Sequence, residues 1–289
     1  MSKKTLDLLV NNIYTKLDYL NKGKQLNISE EQANAFGKAM AAALLHWSKP
    51  YKKKKQHLRM SNIGKPERQL WFDANSTNVH STSVAPSTHI KFLYGHLLEE
   101  VVLMLVRLAG YEVTDQQKEV KVSGILGHMD CKINGEVIDV KSASNFAFRK
   151  FKDGTLREDD VFGYIAQLTG YEQAEKTDGG GFLVINKESG ELVLFKPDDL
   201  DKPDIPKKIK NLKALLKKKK PPAFCYPPKE DGSYGNLKLA RQCTYCAHKF
   251  ECHKNANDGK GLRVFKYSNG LTYLTKVVRT PKVEEVLHA

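Results

Sequence analysis

The stretch Gly127-His128-Met129-Asp130-Cys131-Lys132-Ile133-Asn134-Gly135-Glu136-Val137-Ile138-Asp139-Val140-Lys141 decides the reading of this chain. Asn134-Gly135 between two β-prone runs is a strong signal for a two-residue hairpin loop, because both residues tolerate the positive φ that such a turn demands. That hairpin sets Ile133 against Glu136, Asp130 against Asp139 and His128 against Lys141. Strand alternation then places those last four side chains on one face, with Met129, Cys131, Ile138 and Val140 on the other as core. Two carboxylates opposed across a ladder repel unless a cation sits between them. Hard oxygen donors favour Mg²⁺ or Mn²⁺ over zinc. Lys141, two residues beyond Asp139, points at the same spot and suits the polarisation of a phosphate or the steadying of a hydroxide.

Working outward, apolar residues at helical spacing predict a helix from Leu6 to about Leu20. A second opens at Ser29, with Gln32 completing a capping box, and runs toward Trp47. The Ser-, Thr- and Asn-rich stretch from Asn75 to Ser87 reads as a surface connection. A long helix follows from Ser87-Thr88 to Gly110. Strands are expected at Lys118 to Val122, Ile125 to Ile133 and Glu136 to Ser142. Asp159-Asp160 can cap a helix through Tyr164, Leu168 and Tyr171. Two strands, Phe182 to Ile185 and Glu191 to Phe195, precede an amphipathic helix carrying Ile209, Leu212, Leu215 and Leu216. A hairpin is expected about Asn269-Gly270. This order predicts an α/β core with a mixed central sheet flanked by helices.

The 289 residues suffice for a large core, and 40% hydrophobic content excludes global disorder. No apolar run approaches the roughly 20 residues of a membrane span, and Asp7 with Asn11-Asn12 interrupts any secretory signal. An intracellular protein is expected. Forty-seven Lys and Arg against 33 Asp and Glu give a net charge of +14, which points to a polyanionic partner, nucleic acid before membrane. No base-reading motif accompanies that charge, so binding largely independent of sequence is expected. Arg68, His128 and the runs Lys52 to Lys55 and Lys217-Lys218-Lys219-Lys220 are candidate phosphate contacts. Cys225, Cys243, Cys246 and Cys252 crowd one stretch and read as a metal or iron–sulfur site sooner than as disulfides, while Cys131 reads as core packing.

These residues resemble the PD-(D/E)XK nuclease superfamily. Gly127 to Asp130 and Asp139-Val140-Lys141 are similar to its two signature strands. Tyr94-Gly95-His96-Leu97-Leu98-Glu99-Glu100 resembles the first motif of RecB-like nucleases and phage exonucleases, and Gln167-Leu168-Thr169-Gly170-Tyr171 resembles their Gln-x-x-x-Tyr motif. Ser61 to Trp71 resembles the segment with Cys-Pro-x-Arg in iron–sulfur members, including CRISPR-associated RecB-like nucleases. Cys243-x-x-Cys246-x₅-Cys252 has their C-terminal cysteine spacing. The likeness spans roughly residues 60 to 253. It departs at Lys65, near the position where many relatives carry the fourth cysteine, and Cys225 is the obvious substitute.

The resemblance implies a restriction-endonuclease-like core at 85–222 behind an N-terminal helical segment at 1–84. A cysteine-cluster segment at 223–258 and a hairpin and tail at 259–289 complete the expected organisation. It implies a DNA nuclease, foremost an exonuclease of phage-type recombination or degradation. The alternatives are a structure-specific or restriction-like endonuclease and a catalytically silent DNA-binding protein. Glu99, Asp130 and Asp139 are implied to hold Mg²⁺ or Mn²⁺ beside Lys141. Gln167 would orient substrate or the lysine, and Tyr171 would contact DNA or pack. Cys225, Cys243, Cys246 and Cys252 are implied to hold a [4Fe–4S] cluster, with zinc as the alternative, completed by His248 or His253 and three cysteines. The expected setting is the cytoplasm (the host's, for a phage-encoded protein), with a homo-oligomer or a recombination partner protein as possible company.

Overall fold

The computed structural model describes residues 5–50, 58–76 and 86–286. The lysine run Lys52 to Lys55 and most of the connection expected between Asn75 and Ser87 lie outside them. Helices α1 (Leu9–Asn21), α2 (Glu30–Trp47), α3 (Glu67–Asn75) and α4 (Pro86–Leu108) lead into strands β1 (Val113–Thr114), β2 (Lys118–Val122), β3 (Ile125–Met129), β4 (Cys131–Ile133) and β5 (Glu136–Ala143). Then come α5 (Asn145–Lys152), α6 (Tyr164–Glu175), β6 (Gly181–Asn186), β7 (Leu192–Phe195) and α7 (Ile205–Leu216). The chain finishes with β8 (Lys229–Asp231), β9 (Asn236–Lys238), β10 (Arg263–Tyr267) and β11 (Gly270–Lys276). The described residues fall into two compact units: 5–50, 58–64 and 86–210 form the first, and 65–76 with 211–286 the second.

The first unit is built on a five-stranded sheet in the order β1-β4-β5-β6-β7. All neighbours are antiparallel except β5 and β6, which run parallel with Asp139 beside Phe182 and Lys141 beside Val184. A parallel pair needs a crossover, and α5 and α6 lie in it. The fold is the expected mixed α/β sheet flanked by helices. One sheet face buries Cys131, Ile133, Ile138, Val140 and Leu183 against Leu9 and Ile13 of α1 and Val102, Leu103 and Val106 of α4. Several of the aromatic side chains around Phe151 and Phe182, whose rings lie 5.6 Å apart, gather on the side of α5 and α6.

Local chemistry explains the helix starts. Ser29 and Gln32 form the expected capping box, Gln32 N donating to Ser29 Oγ at 3.1 Å and Ser29 N to Gln32 Oε1 at 3.0 Å. Asp160 accepts from the amides of Tyr164 and Ile165 at 2.8 and 2.9 Å, so it fixes the first turn of α6 as its sequence position suggested. Gly163 precedes that helix with φ 74°, and a Cβ there would stand 2.2 Å from the backbone of Gly64. That close crossing locks the segment around Met60 against α6, with Met60 fully buried.

The second unit carries an antiparallel sheet in the order β10-β11-β9-β8. Its β10–β11 hairpin closes about Ser268 and Asn269, with Tyr267 opposite Gly270. Among the described residues no helix is long and apolar enough to cross a membrane.

Candidate active site and cysteine pocket

The hairpin about Asn134-Gly135 forms, but it is shorter than its sequence suggested. Asn134 and Gly135 take φ of 50° and 96°, and Ile133 faces Glu136 in the expected register. The ladder stops at Cys131 opposite Ile138. Asp130 therefore does not pair with Asp139, nor His128 with Lys141. The reason is that β3 pairs with β2 instead, placing His128 opposite Glu119. His128 is well exposed there, 3.6 Å from the Glu119 carboxylate. The chain breaks direction at Asp130, whose carbonyl accepts from Gln117 N at 2.9 Å. Its carboxylate turns onto β5 and accepts from Val140 N at 2.8 Å. A side chain thus supplies the rung that the ladder lacks, and this fixes Asp130 beside Asp139 by a different route.

The acids are withdrawn from solvent to different degrees, Glu99 and Asp130 half-buried and Asp139 buried. Asp139 is 1% exposed, and its Oδ2 is ion-paired to Lys141 Nζ without a well-aligned hydrogen bond. Its Oδ1 accepts from Gln167 Nε2 at 3.3 Å, and the same amide donates to the Tyr171 hydroxyl at 3.2 Å. Gln167 of the Gln-x-x-x-Tyr pair thus bridges the Asp139 carboxylate, which is paired to Lys141, and the Tyr171 hydroxyl. Tyr171 is buried, and a Cβ on Gly127 would stand 2.7 Å from its ring. Glu99, on α4, accepts from Gln117 Nε2 at 2.8 Å.

Electrostatics tie the group together. Burial pushes the Glu99 carboxyl up to about 7, against the hydrogen bond from Gln117 and with the help of Glu100 and Asp139. Burial also raises Asp130 well above the carboxylate range, with Asp139 and Glu99 adding and Lys141 opposing. For Lys141 burial works against the charge, but Asp139 and Asp130 outweigh it and hold the ammonium group above its ordinary value. Glu99, Asp130, Asp139 and Lys141 are therefore one interacting set. Three acids against one ammonium is a donor set suited to a hard divalent cation. Among the described residues, however, no three His, Cys, Asp or Glu side chains stand closely enough to hold a metal ion as they are. Each carboxylate of the site rests on its own protein partner.

The second unit gathers a different set. Cys225, Cys243, Cys246 and Cys252 line one pocket together with Arg68, Phe224, His248 and His253. Burial pushes the Cys243 thiol up to about 12, with Cys225, Cys246 and Cys252 adding. Burial likewise raises Cys246 and Cys252. Arg68 donates from Nε to Cys252 Sγ at 3.0 Å, and its guanidinium lies 4.2 Å from the Phe224 ring centroid. The same residue that the basic charge offered as a phosphate contact is thus engaged with a cysteine sulfur. His248 Nε2 lies 2.7 Å from Asp73 Oδ1, and His253 stacks on Phe224 at 4.8 Å. Four sulfurs in one pocket are a soft donor set, but among the described residues no three of these side chains stand closely enough to hold a metal ion as they are. Lys217, Lys218, Lys219 and Lys220 follow α7 and are all exposed. Cys131 is buried in the first unit, as its sequence position suggested.

Sequence reasoning missed Gln117, Tyr164 and the burial of Met60. Gln117 sits in a tight turn at φ 54°, and no local pattern marks a turn residue as the partner of a helix carboxylate. Lys141 Nζ lies 5.1 Å from the Tyr164 ring centroid. The parallel pairing of β5 with β6 is what carries β5 under α6, and parallel pairing leaves no short-range signature.

No family model and no curated protein matches the chain. Among solved structures it is similar to SSO0001, at 16% identity over 76% of this chain and 94% of that one, with a TM-score of 0.38. It is also similar to an alkaline exonuclease (LHK-Exo) from Laribacter hongkongensis, at 14% identity over 54% of this chain and 89% of that one, TM-score 0.35. A third is a phage related exonuclease from Haemophilus somnus 129PT, at 15% identity over 56% and 92%, TM-score 0.38.

Proposed function

We propose that this protein is a Mg²⁺- or Mn²⁺-dependent deoxyribonuclease, acting as an exonuclease in phage-type DNA recombination or degradation. The observation that carries the reading is the electrostatically linked set of half-buried Glu99 and Asp130 with buried Asp139 beside Lys141. Acids drawn together around one buried carboxylate are unfavourable for folding alone, so their presence calls for a chemical use. Glu99, Asp130 and Asp139 are the residues that would hold the cation. When bound, such an ion lowers the pKa of water and offsets charge on the phosphoryl oxygens.

The chain's own residues divide the remaining work. Lys141 offers its ammonium to a non-bridging phosphate oxygen, where charge grows as the water oxygen bonds to phosphorus and the ester oxygen departs. Gln167 holds Asp139 through Oδ1, and Val140 N–H holds Asp130 through Oδ2. Both carboxylates are thereby fixed in direction before substrate arrives. The net charge of +14 supports a polyanionic substrate. We propose further that the four pocket cysteines hold a [4Fe–4S] cluster, with zinc the alternative, which staples the segment around Cys243 to Cys252 without taking part in redox chemistry. Arg68, beside Cys252, belongs with that centre in this reading.

End-labelled linear and closed circular DNA, incubated with Mg²⁺, Mn²⁺ or chelator, test the activity. Metal-dependent loss of linear DNA with circles spared is the expected result. Nicking of circles would favour the endonuclease alternative, and no turnover with either metal would favour a silent DNA-binding protein. A broad visible absorbance band in anaerobic preparations is expected for the cluster. A colourless protein containing zinc would reverse that choice.

A further inference from the structure

A cleft of about 110 Å³ opens directly beside Lys141, lined among others by Ser142, Ser144, Lys150, Phe162 and Tyr164. Its wall is an ordered series of groups. Lys141 Nζ, paired to Asp139, lies 5.1 Å from the Tyr164 ring centroid. Phe162 stacks on Tyr164 with centroids 5.3 Å apart and planes at 25°. The outer ring, Phe162, is 57% exposed. Nearby Phe146, also exposed, has Lys150 Nζ 5.3 Å from its centroid.

An exposed phenyl ring is ordinary on a loose loop, but the backbone on both sides of this one is anchored. Asp160 takes two amides just beyond it, and Gly163 is wedged against Gly64. The turn therefore presents a flat apolar surface one ring beyond the Tyr164 face that Lys141 touches. Cationic, hydroxyl and aromatic groups in one cleft match the parts of a nucleotide: phosphate at Lys141, base on the ring. Ser142 and Ser144 hydroxyls both donate and accept, so they suit any base edge. The two carboxylates in the lining are already occupied, Asp159 by Lys150 and Asp160 by backbone amides.

We propose that this cleft is a stacking site for one unpaired nucleobase, with Phe162 as the platform, next to the phosphate held at Lys141. The proposal rests on the nuclease reading and deepens it. It makes the substrate at the site a strand whose nucleotide adjoining the scissile bond is out of the helix, taken without regard to base identity. Aromatic stacking of this kind is tolerant of sequence and is worth ~1–3 kcal/mol per base on removal of the ring, or about 5- to 150-fold.

The test compares full-length wild type, Phe162→Ala and Phe162→Trp on oligonucleotides with either a normal or an abasic residue beside the labelled phosphate. Phe162→Ala is expected to lower kcat/KM about 10-fold on the normal strand and not on the abasic one, and Phe162→Trp to restore it. Equal loss on both strands, or none on either, would overturn the stacking site while leaving the nuclease intact. If wild type cleaves nothing, the nuclease reading fails separately, and quenching of an oligonucleotide with 2-aminopurine at that position decides the site. Quenching lost in Phe162→Ala sustains it; quenching unchanged in that variant, or absent in wild type, removes it.

Discussion

The carboxylate site and the cysteine pocket solve the placement of reactive groups in opposite ways. Asp139 and Lys141 lie on β5, between two hydrogen-bonded neighbours, and Gln167 lies on α6 with eight consecutive buried residues. Backbone ladders and apolar packing hold that frame, and the acids are the strained part of it. The cysteines instead lie on turns and on the short helices Arg241–Thr244 and Lys249–Cys252, which bury no residue at all. Contacts such as Arg68 with Cys252 and His248 with Asp73 organise them. Removing ligands from the first region should therefore cost activity and spare the fold. In the second, with the metal centre proposed above, it should cost the fold, because the binding energy of such a centre is folding energy where little core exists.

The largest expected effect is at Asp139. Asp139→Asn should lower cleavage by about 10²–10³-fold or more, the scale lost with one preorganised electrostatic group, while circular dichroism stays that of wild type. Unfolding of this variant would break the distinction between the regions. Next comes Cys252→Ser, which should abolish binding of the proposed metal and make residues 211–286 sensitive to trypsin, with the unit built on β1–β7 still resistant. Uniform proteolysis of both units would contradict it. Gln167→Leu should cost about 10-fold in kcat/KM, because the Asp139 carboxylate loses the amide that orients it. An unchanged rate would show that Asp139 needs no support.

The smallest effect concerns pH. Glu99 has its carboxyl pushed up to about 7, so the folded protein holds a proton that the unfolded chain releases near pH 4.5. Stability from that proton is present below pH 4.5 and fades as pH rises through 7. In chelator, Glu99→Gln should therefore raise stability at pH 8 by on the order of 1 kcal/mol, after discounting for partial exposure, and leave pH 4 unchanged. A thermal melt at both values reads this directly. A gain of equal size at both would mean that Glu99 is not a strained acid.

Much of this was legible locally. Asn134-Gly135, the Ser29–Gln32 box and the caps at Asp160 are short-range chemistry, and each forms. The break at Asp130 was not, because it depends on β3 choosing β2 over β5, a competition between two hairpins each plausible alone. Gly127 and Gly170 were similarly mute. Their lack of side chains makes room for Met60, whose neighbours lie far along the chain. Arg68 illustrates the same limit: the residue type suits a phosphate as well as a sulfur, and its contact with Cys252, 184 residues along the chain, has no local signature.

The most direct measurement is Mn²⁺ binding by calorimetry to wild type and to Glu99→Gln, Asp130→Asn and Asp139→Asn, at a pH above 7 where Glu99 is ionised. Wild type should bind, and each amide variant should bind at least about 10-fold more weakly. Equal Mn²⁺ affinity in all four proteins would mean that these three acids do not share a cation, and the nuclease reading would fall with that result.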